Sequence, residues 1–96
     1  MPTHLPSDER TLGEFMVFRK LLGQNIRTRR LALGLSQEQL AALSGWGRHH
    51  LSRVELGQAS TSAERLITMA QALNCGIHDL VPELDEIEAA QGSADH

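Results

Sequence analysis

Two short helical segments, joined by a four-residue turn, restrict the fold of this chain more than any other feature. Ser36-Gln37-Glu38-Gln39 forms a capping box, in which the hydroxyl accepts one free N–H and the last glutamine reaches back to the first residue. Ser44-Gly45-Trp46-Gly47 predicts a tight turn, because Gly45 can adopt a positive φ without a Cβ clash. A further helix is predicted from Arg48 to Leu56, with Gly57 as its stop.

The residues before this unit predict a loose arm and a short helix, followed by a firmer helix over about residues 20–33. Apolar residues recur at helical spacing, but Gly13 and Gly23 weaken the prediction of one unbroken helix. Gly34 is expected to end the second part. The spaced apolar positions are Leu12, Phe15, Met16, Leu22, Ile26 and Leu33.

The residues after the unit predict two more helices. Thr61 or Ser62 caps the first, which buries an apolar stripe and ends at Asn74, a residue that tolerates the left-handed conformation. The second is short, over about residues 77–81, and is stopped by Pro82. Residues 83–96 are expected to be a frayed acidic tail, in which Leu84 and Ile87 can form one packed turn. The stripe comprises Leu66, Met69, Ala70 and Leu73. An all-α fold is predicted, with an arm (1–18), a helical domain (19–82) and a tail (83–96).

Composition excludes several classes of protein. Cys75 is the single cysteine of the 96 residues, so neither an internal disulfide nor a multi-cysteine metal site can form. No apolar run approaches the ~20 residues of a membrane helix, and the first residues lack a signal-peptide pattern. We expect a soluble protein of a reducing compartment. Adjacent His49 and His50 point about 100° apart on a helix, which argues against a metal site. Without a phosphate-binding glycine loop or paired carboxylates, we expect neither catalysis nor a cofactor.

Charge is segregated along the chain. The formal net charge is −3, yet residues 19–57 carry a net +5, whereas residues 1–18 carry −2 and residues 66–96 carry −6. A basic middle between acidic ends is typical of a polyanion-binding face on a small domain.

The spacing of the two central helices is that of a helix-turn-helix. Ala41 must be small because the next helix crosses over it, and burial of Trp46, Leu51 and Val54 fixes the angle between the helices. An α-helix fits the major groove of B-DNA, where arginine paired with guanine is the commonest specific contact. The outward positions of the second helix are Arg48, His49, His50, Ser52 and Arg53.

These residues resemble the Cro/phage-repressor (XRE-type) DNA-binding family over about residues 22–81. The resemblance is carried by Leu22-Gly-Gln-Asn-Ile-Arg-Thr-Arg-Arg-Leu-Ala-Leu-Gly-Leu-Ser-Gln37, Leu40-Ala41, Gly45 and Leu51-Ser-Arg-Val-Glu-Leu-Gly57, and continues through Ser62, Leu66, Ala70-Gln-Ala-Leu73 and Ile77-His-Asp-Leu80. It implies a five-helix repressor fold, a cytoplasmic location and a homodimer on double-stranded DNA with two half-sites.

The resemblance also implies roles for individual residues. Base contacts fall to Arg48, His49, Ser52 and Arg53. Contacts to phosphates or base edges fall to Ser36, Gln37, Gly47, His50, Gln58 and Arg27. Arg30 and Glu55 match a buried ion pair with a structural role.

The resemblance implies that the helix over about residues 48–56 is the recognition helix, which enters the major groove. The chain departs from the family pattern after this helix. Gln58 stands where a lysine or arginine often grips the DNA backbone, and Leu56 stands where asparagine is common. Arg27, Arg29 and Lys20 are candidates to supply the missing charge. Gly47 replaces the usual Ser or Thr cap, which costs only a few tenths of a kcal/mol.

A second function class stays open at this point. The same fold can act as a protein-interaction module, for example an antitoxin that binds a toxin. The acidic C-terminal segment, with Leu84 and Ile87, would suit that role.

Overall fold

A computed structural model describes residues 7–94, with side chains for residues 12–92. Within this range the helices are α1 (Ser7–Ala32), α2 (Gln37–Ser44), α3 (Arg48–Glu55), α4 (Ala63–Ala72) and α5 (Leu84–Ala94), with one 3₁₀ turn (Ile77–Asp79) between the last two. The described residues contain no strand, and the all-α prediction with a helix-turn-helix at α2 and α3 is confirmed.

Residues with positive φ end three of the helices as the sequence predicts. Gly34 (φ 72°), Gly57 (φ 75°) and Asn74 (φ 56°) each follow a helix in the left-handed region. After α3, for example, the Gly57 N–H donates to the carbonyl of Val54 and the next amide donates to that of Arg53. This Schellman pattern satisfies carbonyls that a helix end would otherwise leave unpaired.

α1 is one continuous helix of 26 residues, so the expected break near Gly13 and Gly23 is wrong. Gly23 marks a crossing between α1 and the end of α3. A Cβ there would overlap the carbonyl oxygen of Val54 and lie 2.7 Å from that of Glu55. The glycine lets two backbones approach closely, and this packing compensates for its weak helix propensity. The expected boundary between residues 18 and 19 therefore lies inside α1.

The segment after Pro82 is helical and packed, so the expected frayed tail is also wrong for its described part. α5 packs against α1 and buries Ile87 to 6% exposure. Its first turn is closed by the amide of Ile87, which donates to the Glu83 carbonyl at 3.2 Å. Burial of one side chain against α1 stabilises an acidic helix whose sequence alone predicts little order.

The expected helix over residues 77–81 is a single 3₁₀ turn. The Asp79 carboxylate accepts a hydrogen bond from the Gly76 N–H (2.9 Å), and the Leu80 carbonyl accepts one from the Asn25 side chain (2.8 Å). The Asn25 bond ties this turn to α1, and Pro82, which has no N–H to donate, prevents its continuation as a helix.

One contiguous core lies between α1, α2, α3 and α4. Its buried members are Leu22, Ile26, Leu40, Ala41, Trp46, Leu51, Val54, Leu66, Met69, Ala70, Leu73 and Leu80. Of the apolar residues at helical spacing, Leu22 and Ile26 lie in this core, whereas Leu12, Phe15, Met16 and Leu33 are half or more exposed. No helix among residues 7–94 combines the length and the apolar character that a bilayer span needs.

Candidate nucleic-acid interface

α3 is fixed from behind by fully buried side chains and presents a polar face to solvent. Leu51 and Val54 have no exposed surface. Arg48, His49, Ser52 and Arg53 lie at helical spacings of one, four and five residues, so they share the opposite side. Arg48 is 65% exposed, His49 and Arg53 are exposed, and Ser52 is half-buried. The structure therefore brings together the four residues that the sequence assigns to base contacts.

The turn before α3 fixes its direction. Gly45 has φ 75°, and its N–H donates to the Ala41 carbonyl at 2.9 Å. The indole N–H of Trp46 donates to the Arg65 carbonyl of α4 at 3.2 Å, with only 5% of the residue exposed. The predicted tight turn is confirmed, and its tryptophan ties α3 to α4 as well as filling the core.

Arg30 of α1 and Glu55 of α3 form a buried bidentate pair. The Arg30 Nε and Nη2 donate to the two Glu55 oxygens at 2.7 and 3.0 Å. Gln37, at the first residue of α2, donates its Nε2 to the same carboxylate at 3.1 Å. The amide expected to reach DNA is thus oriented by the ion pair. Because this bond uses one of its two amide protons, the second proton and the side-chain oxygen remain to meet a phosphate or base edge.

The start of α2 uses its capping groups internally. Ser36 Oγ accepts from the Gln39 N–H (3.0 Å), and the Ser36 N–H donates to the Gln39 side chain (2.8 Å). The family resemblance assigns Ser36 to a contact with a phosphate or base edge. The cap occupies the N–H, so only the hydroxyl proton remains to donate.

The start of α3 carries an exposed ion pair and an N-cap without a side chain. Glu38 Oε1 lies 3.8 Å from Arg48 Nε, in a pair whose side chains are 76% and 65% exposed. An ion pair this exposed is worth little and can exchange for a stronger contact. Gly47, the N-cap of α3, makes no side-chain cap, and a Cβ there would meet nothing within 4 Å. The first amides of α3 are therefore open to an approaching group.

His50 lies at the edge of the outward face, against the loop that follows α3. Its ring centroid is 5.0 Å from that of Trp46, and its Nε2 is 3.3 Å from Thr61 Oγ1. Burial, together with the charges of Arg65 and Arg53, lowers the pKa of His50 below its ordinary value. His50, expected to face outward, is half-buried because its ring packs on the turn.

Arg65 is a candidate that sequence reasoning missed. Its exposed side chain lines an open polar recess of about 410 Å³ together with His50, Ser60, Thr61 and Ser62. Ser62 caps α4 by accepting the Arg65 N–H at 3.2 Å. A count of charge along the sequence overlooks Arg65, because the adjacent Glu64 cancels its charge. The predicted cap at Ser62 is the signal that could have identified Arg65. The third residue after an N-cap lies in the first turn of the helix, and here that turn is beside the loop from α3.

The remaining basic candidates differ in their surroundings. Arg27 is exposed and forms no ion pair within the described part of the chain. Arg29 lies 3.5 Å from Asp79 of the 3₁₀ turn. The Gly76 N–H, with His78 and Arg29 nearby, lowers the pKa of Asp79. Gln58 is exposed beyond the end of α3, and its N–H completes the helix cap. Across residues 12–92, no three His, Cys, Asp or Glu side chains form a group that could hold a metal ion.

Comparison with known proteins identifies a family whose profile matches this helix-turn-helix segment. The profile of the helix-turn-helix family HTH_3 matches residues 26–80, within the segment that resembles the Cro/phage-repressor (XRE-type) family, and confirms that resemblance. Control protein C.SmaI from Serratia marcescens is 37% identical over 70% of this chain and 80% of its own length. The uncharacterised HTH-type transcriptional regulator y4dJ from Sinorhizobium fredii is 38% identical over 74% of this chain and 92% of its own. The crystal structure of the restriction-modification controller protein C.AhdI from Aeromonas hydrophila superposes with a TM-score of 0.63 at 40% identity, over 65% of this chain and 94% of that one.

Proposed function

Because the chain belongs to the helix-turn-helix family HTH_3, we propose that it is a transcriptional regulator that binds specific double-stranded DNA sequences as a homodimer. The observation that carries the proposal is the outward face of α3, where Arg48, His49, Ser52 and Arg53 share one side of a helix fastened by Leu51 and Val54. Such a helix fits the major groove, whose base edges distinguish all four base pairs.

In the proposed mechanism, the first turn of α3 reads bases. Arg48 exchanges its exposed contact with Glu38 for the O6 and N7 acceptors of a guanine, a bidentate arrangement that its guanidinium suits. His49 reads a neighbouring base, and Ser52 and Arg53 extend the contact along the groove. Two copies place their recognition helices in successive major grooves about 34 Å apart, so the operator is an approximate inverted repeat.

Phosphate contacts fix the register of α3 on the duplex without reading sequence. We assign them to the Ser36 hydroxyl, the remaining Gln37 groups and the open amides after Gly47 on one side. Further phosphate contacts are assigned to Gln58, after the end of α3, and to the recess that His50 and Arg65 line. In this recess Arg65 supplies the cationic group that Gln58 lacks. Arg27 on α1 is a further candidate.

The likeness to control protein C.SmaI and to the restriction-modification controller C.AhdI supports a more specific role. We propose that this chain is a regulator of the controller type, acting on DNA in the cytoplasm. No cofactor, metal or catalytic step enters this mechanism. The alternative, a protein-interaction module of the antitoxin kind, gains no support from these relatives.

Selection of bound sequences from random duplex DNA tests the proposal. Enrichment of an inverted repeat with half-site centres about one helical turn apart would support it. Failure to enrich any sequence, with a folded protein, would contradict it and favour the interaction module.

A further inference from the structure

Glu38 places an exposed negative charge in the basic part of the chain. Residues 19–57, all of which the structure describes, carry a net charge of +5 and contain two acids, Glu38 and Glu55. Glu55 is buried against Arg30, so its charge is neutralised inside the protein. Glu38 lies in the first turn of α2, and its side chain is 76% exposed. A free carboxylate therefore stands on the side of the molecule that is proposed to meet DNA.

The ion pair with Arg48 shows where this carboxylate lies. Glu38 Oε1 is 3.8 Å from Arg48 Nε, and the Arg48 side chain is 65% exposed. The tips of two long side chains, one from α2 and one from α3, thus occupy neighbouring positions on the surface. Because an exposed ion pair is weak, it opens readily when a better partner is offered. When Arg48 enters the major groove, Glu38 is positioned to meet an adjacent group of the DNA.

The chemistry of a carboxylate restricts the group that Glu38 can bind. An ionised carboxylate accepts hydrogen bonds and cannot donate them. Phosphates, the O6 and N7 of guanine and the O4 of thymine are acceptors, so they repel it. The groove offers two donors: adenine N6, which stands beside the acceptor N7, and cytosine N4, which has no acceptor beside it on the same base. Cytosine is therefore the base that Glu38 suits best.

Base pairing brings a cytosine to this position. In the proposed mechanism Arg48 donates to a guanine, and the N4 amino group of the paired cytosine lies next to the guanine O6 on the same groove edge. We propose that Glu38 is a second base-reading residue, which accepts a hydrogen bond from cytosine N4 in the G·C pair that Arg48 reads or in the adjacent pair.

The assignment rests on the proposed function and adds a specificity-determining residue to it. Opening of the ion pair supplies a donor, Arg48, for guanine and an acceptor, Glu38, for cytosine. At any other base the carboxylate faces at least one acceptor, which repels it. The same side chain therefore favours one sequence and weakens binding to the rest, as specific recognition requires.

Glu38→Gln and Glu64→Gln form a matched pair for the test. Each glutamate is exposed and is the second residue of a helix whose N-cap is a serine, so both substitutions remove the same charge from the same part of a helix. Among the side chains that the structure describes, no ion pair joins Glu64 to α3. Glu64→Gln therefore measures the effect of a lost charge alone.

Fluorescence anisotropy measures the affinity of the full chain and of both variants for the selected operator, for every single-base-pair variant of one half-site and for random duplex DNA. Glu38→Gln is expected to reduce discrimination at one base pair roughly tenfold, because an amide donates to acceptors as well as accepting from cytosine. Its affinity for random DNA is expected to rise, since a negative charge is removed near the phosphates. Glu64→Gln is expected to retain every base preference.

The base pair at which discrimination is lost decides the outcome. Loss at the pair that Arg48→Ala affects, or at its immediate neighbour, would support the proposal. Base preferences that stay unchanged in Glu38→Gln, or a loss at a distant pair, would overturn it. An unmodified chain that selects no operator would contradict the proposed function itself, whereas an operator-selecting chain whose Glu38→Gln variant keeps all its preferences would contradict only the role of Glu38.

Discussion

The Arg30 guanidinium holds the Glu55 carboxylate by two hydrogen bonds of 2.7 and 3.0 Å, with less than a tenth of either residue exposed. The pair joins the last turn of α1 to the last residue of α3 and also orients Gln37 at the start of α2. The recognition helix, the helix before it and α1 are therefore held by one carboxylate. Its position sets the geometry of the whole proposed interface.

Removal of one partner of this pair should destabilise the protein strongly. Glu55→Ala leaves the Arg30 charge buried without its carboxylate, for which we expect a loss of ~3–5 kcal/mol in the free energy of unfolding. The double variant Arg30→Met with Glu55→Met should lose less, because no unpaired charge remains. Urea denaturation followed by circular dichroism measures both. A double variant as unstable as Glu55→Ala would contradict this interpretation of the pair.

Substitution at the crossing of α1 and α3 should also destabilise the fold. Gly23→Ala places a methyl group against the carbonyl oxygens of Val54 and Glu55, so we expect a loss of about 1–3 kcal/mol despite the better helix propensity of alanine. Gly92→Ala is the control, since a Cβ there meets nothing within 4 Å and should leave stability unchanged or raise it by up to ~1 kcal/mol. Equal effects in thermal unfolding would show that Gly23 is not a contact point.

These two contacts show why local sequence signals predict some elements and not others. Caps and stops depend on a few neighbouring residues, so Ser36, Gly45 and Gly57 identify α2, the turn and the end of α3 directly. The continuity of α1 depends on a contact between Gly23 and a carbonyl about thirty residues later. Sequence spacing does not contain that contact, and the glycine therefore resembles a helix breaker.

The candidate site divides in the same way. The outward face of α3 follows from helical periodicity once Leu51 and Val54 are recognised as buried. The contact of His50 with Trp46, and its approach to Thr61, depend on the loop between α3 and α4, whose path the sequence does not specify. Arg65 was missed for this reason. The packing of α5 was missed because it depends on a partner surface on α1.

The lowered pKa of His50 predicts a dependence of stability on pH. Because burial and nearby arginines disfavour the charged ring in the folded protein, the unfolded chain binds the proton more readily as pH falls through about 6.5. Stability should decrease over this window, and His50→Gln should reduce the slope. Urea midpoints between about pH 7.5 and 5.5 provide the test. The pKa of Asp79 is also lowered, but this carboxylate changes the stability of the protein only below about pH 4, outside the tested window. An unchanged slope in His50→Gln would exclude this histidine as the source.

Salt dependence should reveal how many phosphates the dimer neutralises. If each subunit contacts about four, log K should fall with log salt with a slope near −7 for the dimer. Arg65→Gln should weaken binding to all sequences similarly and reduce the slope by about 2 per dimer, since each phosphate-binding residue contributes about 1. Fluorescence anisotropy with labelled duplexes measures the slope. A slope near zero would contradict the basic-face interpretation, and an unchanged slope in Arg65→Gln would remove Arg65 from it.

The central claim, that the outward face of α3 reads base sequence, is tested most directly by Arg48→Ala. We propose measuring its affinity for the selected operator, for every single-base-pair variant of one half-site and for random duplex DNA. The account predicts a loss of ~1–3 kcal/mol on the operator, little change on random DNA, and loss of discrimination at one base pair in each half-site. An equal loss on operator and random DNA, with all base preferences retained, would show that Arg48 contacts only the backbone and would contradict the claim.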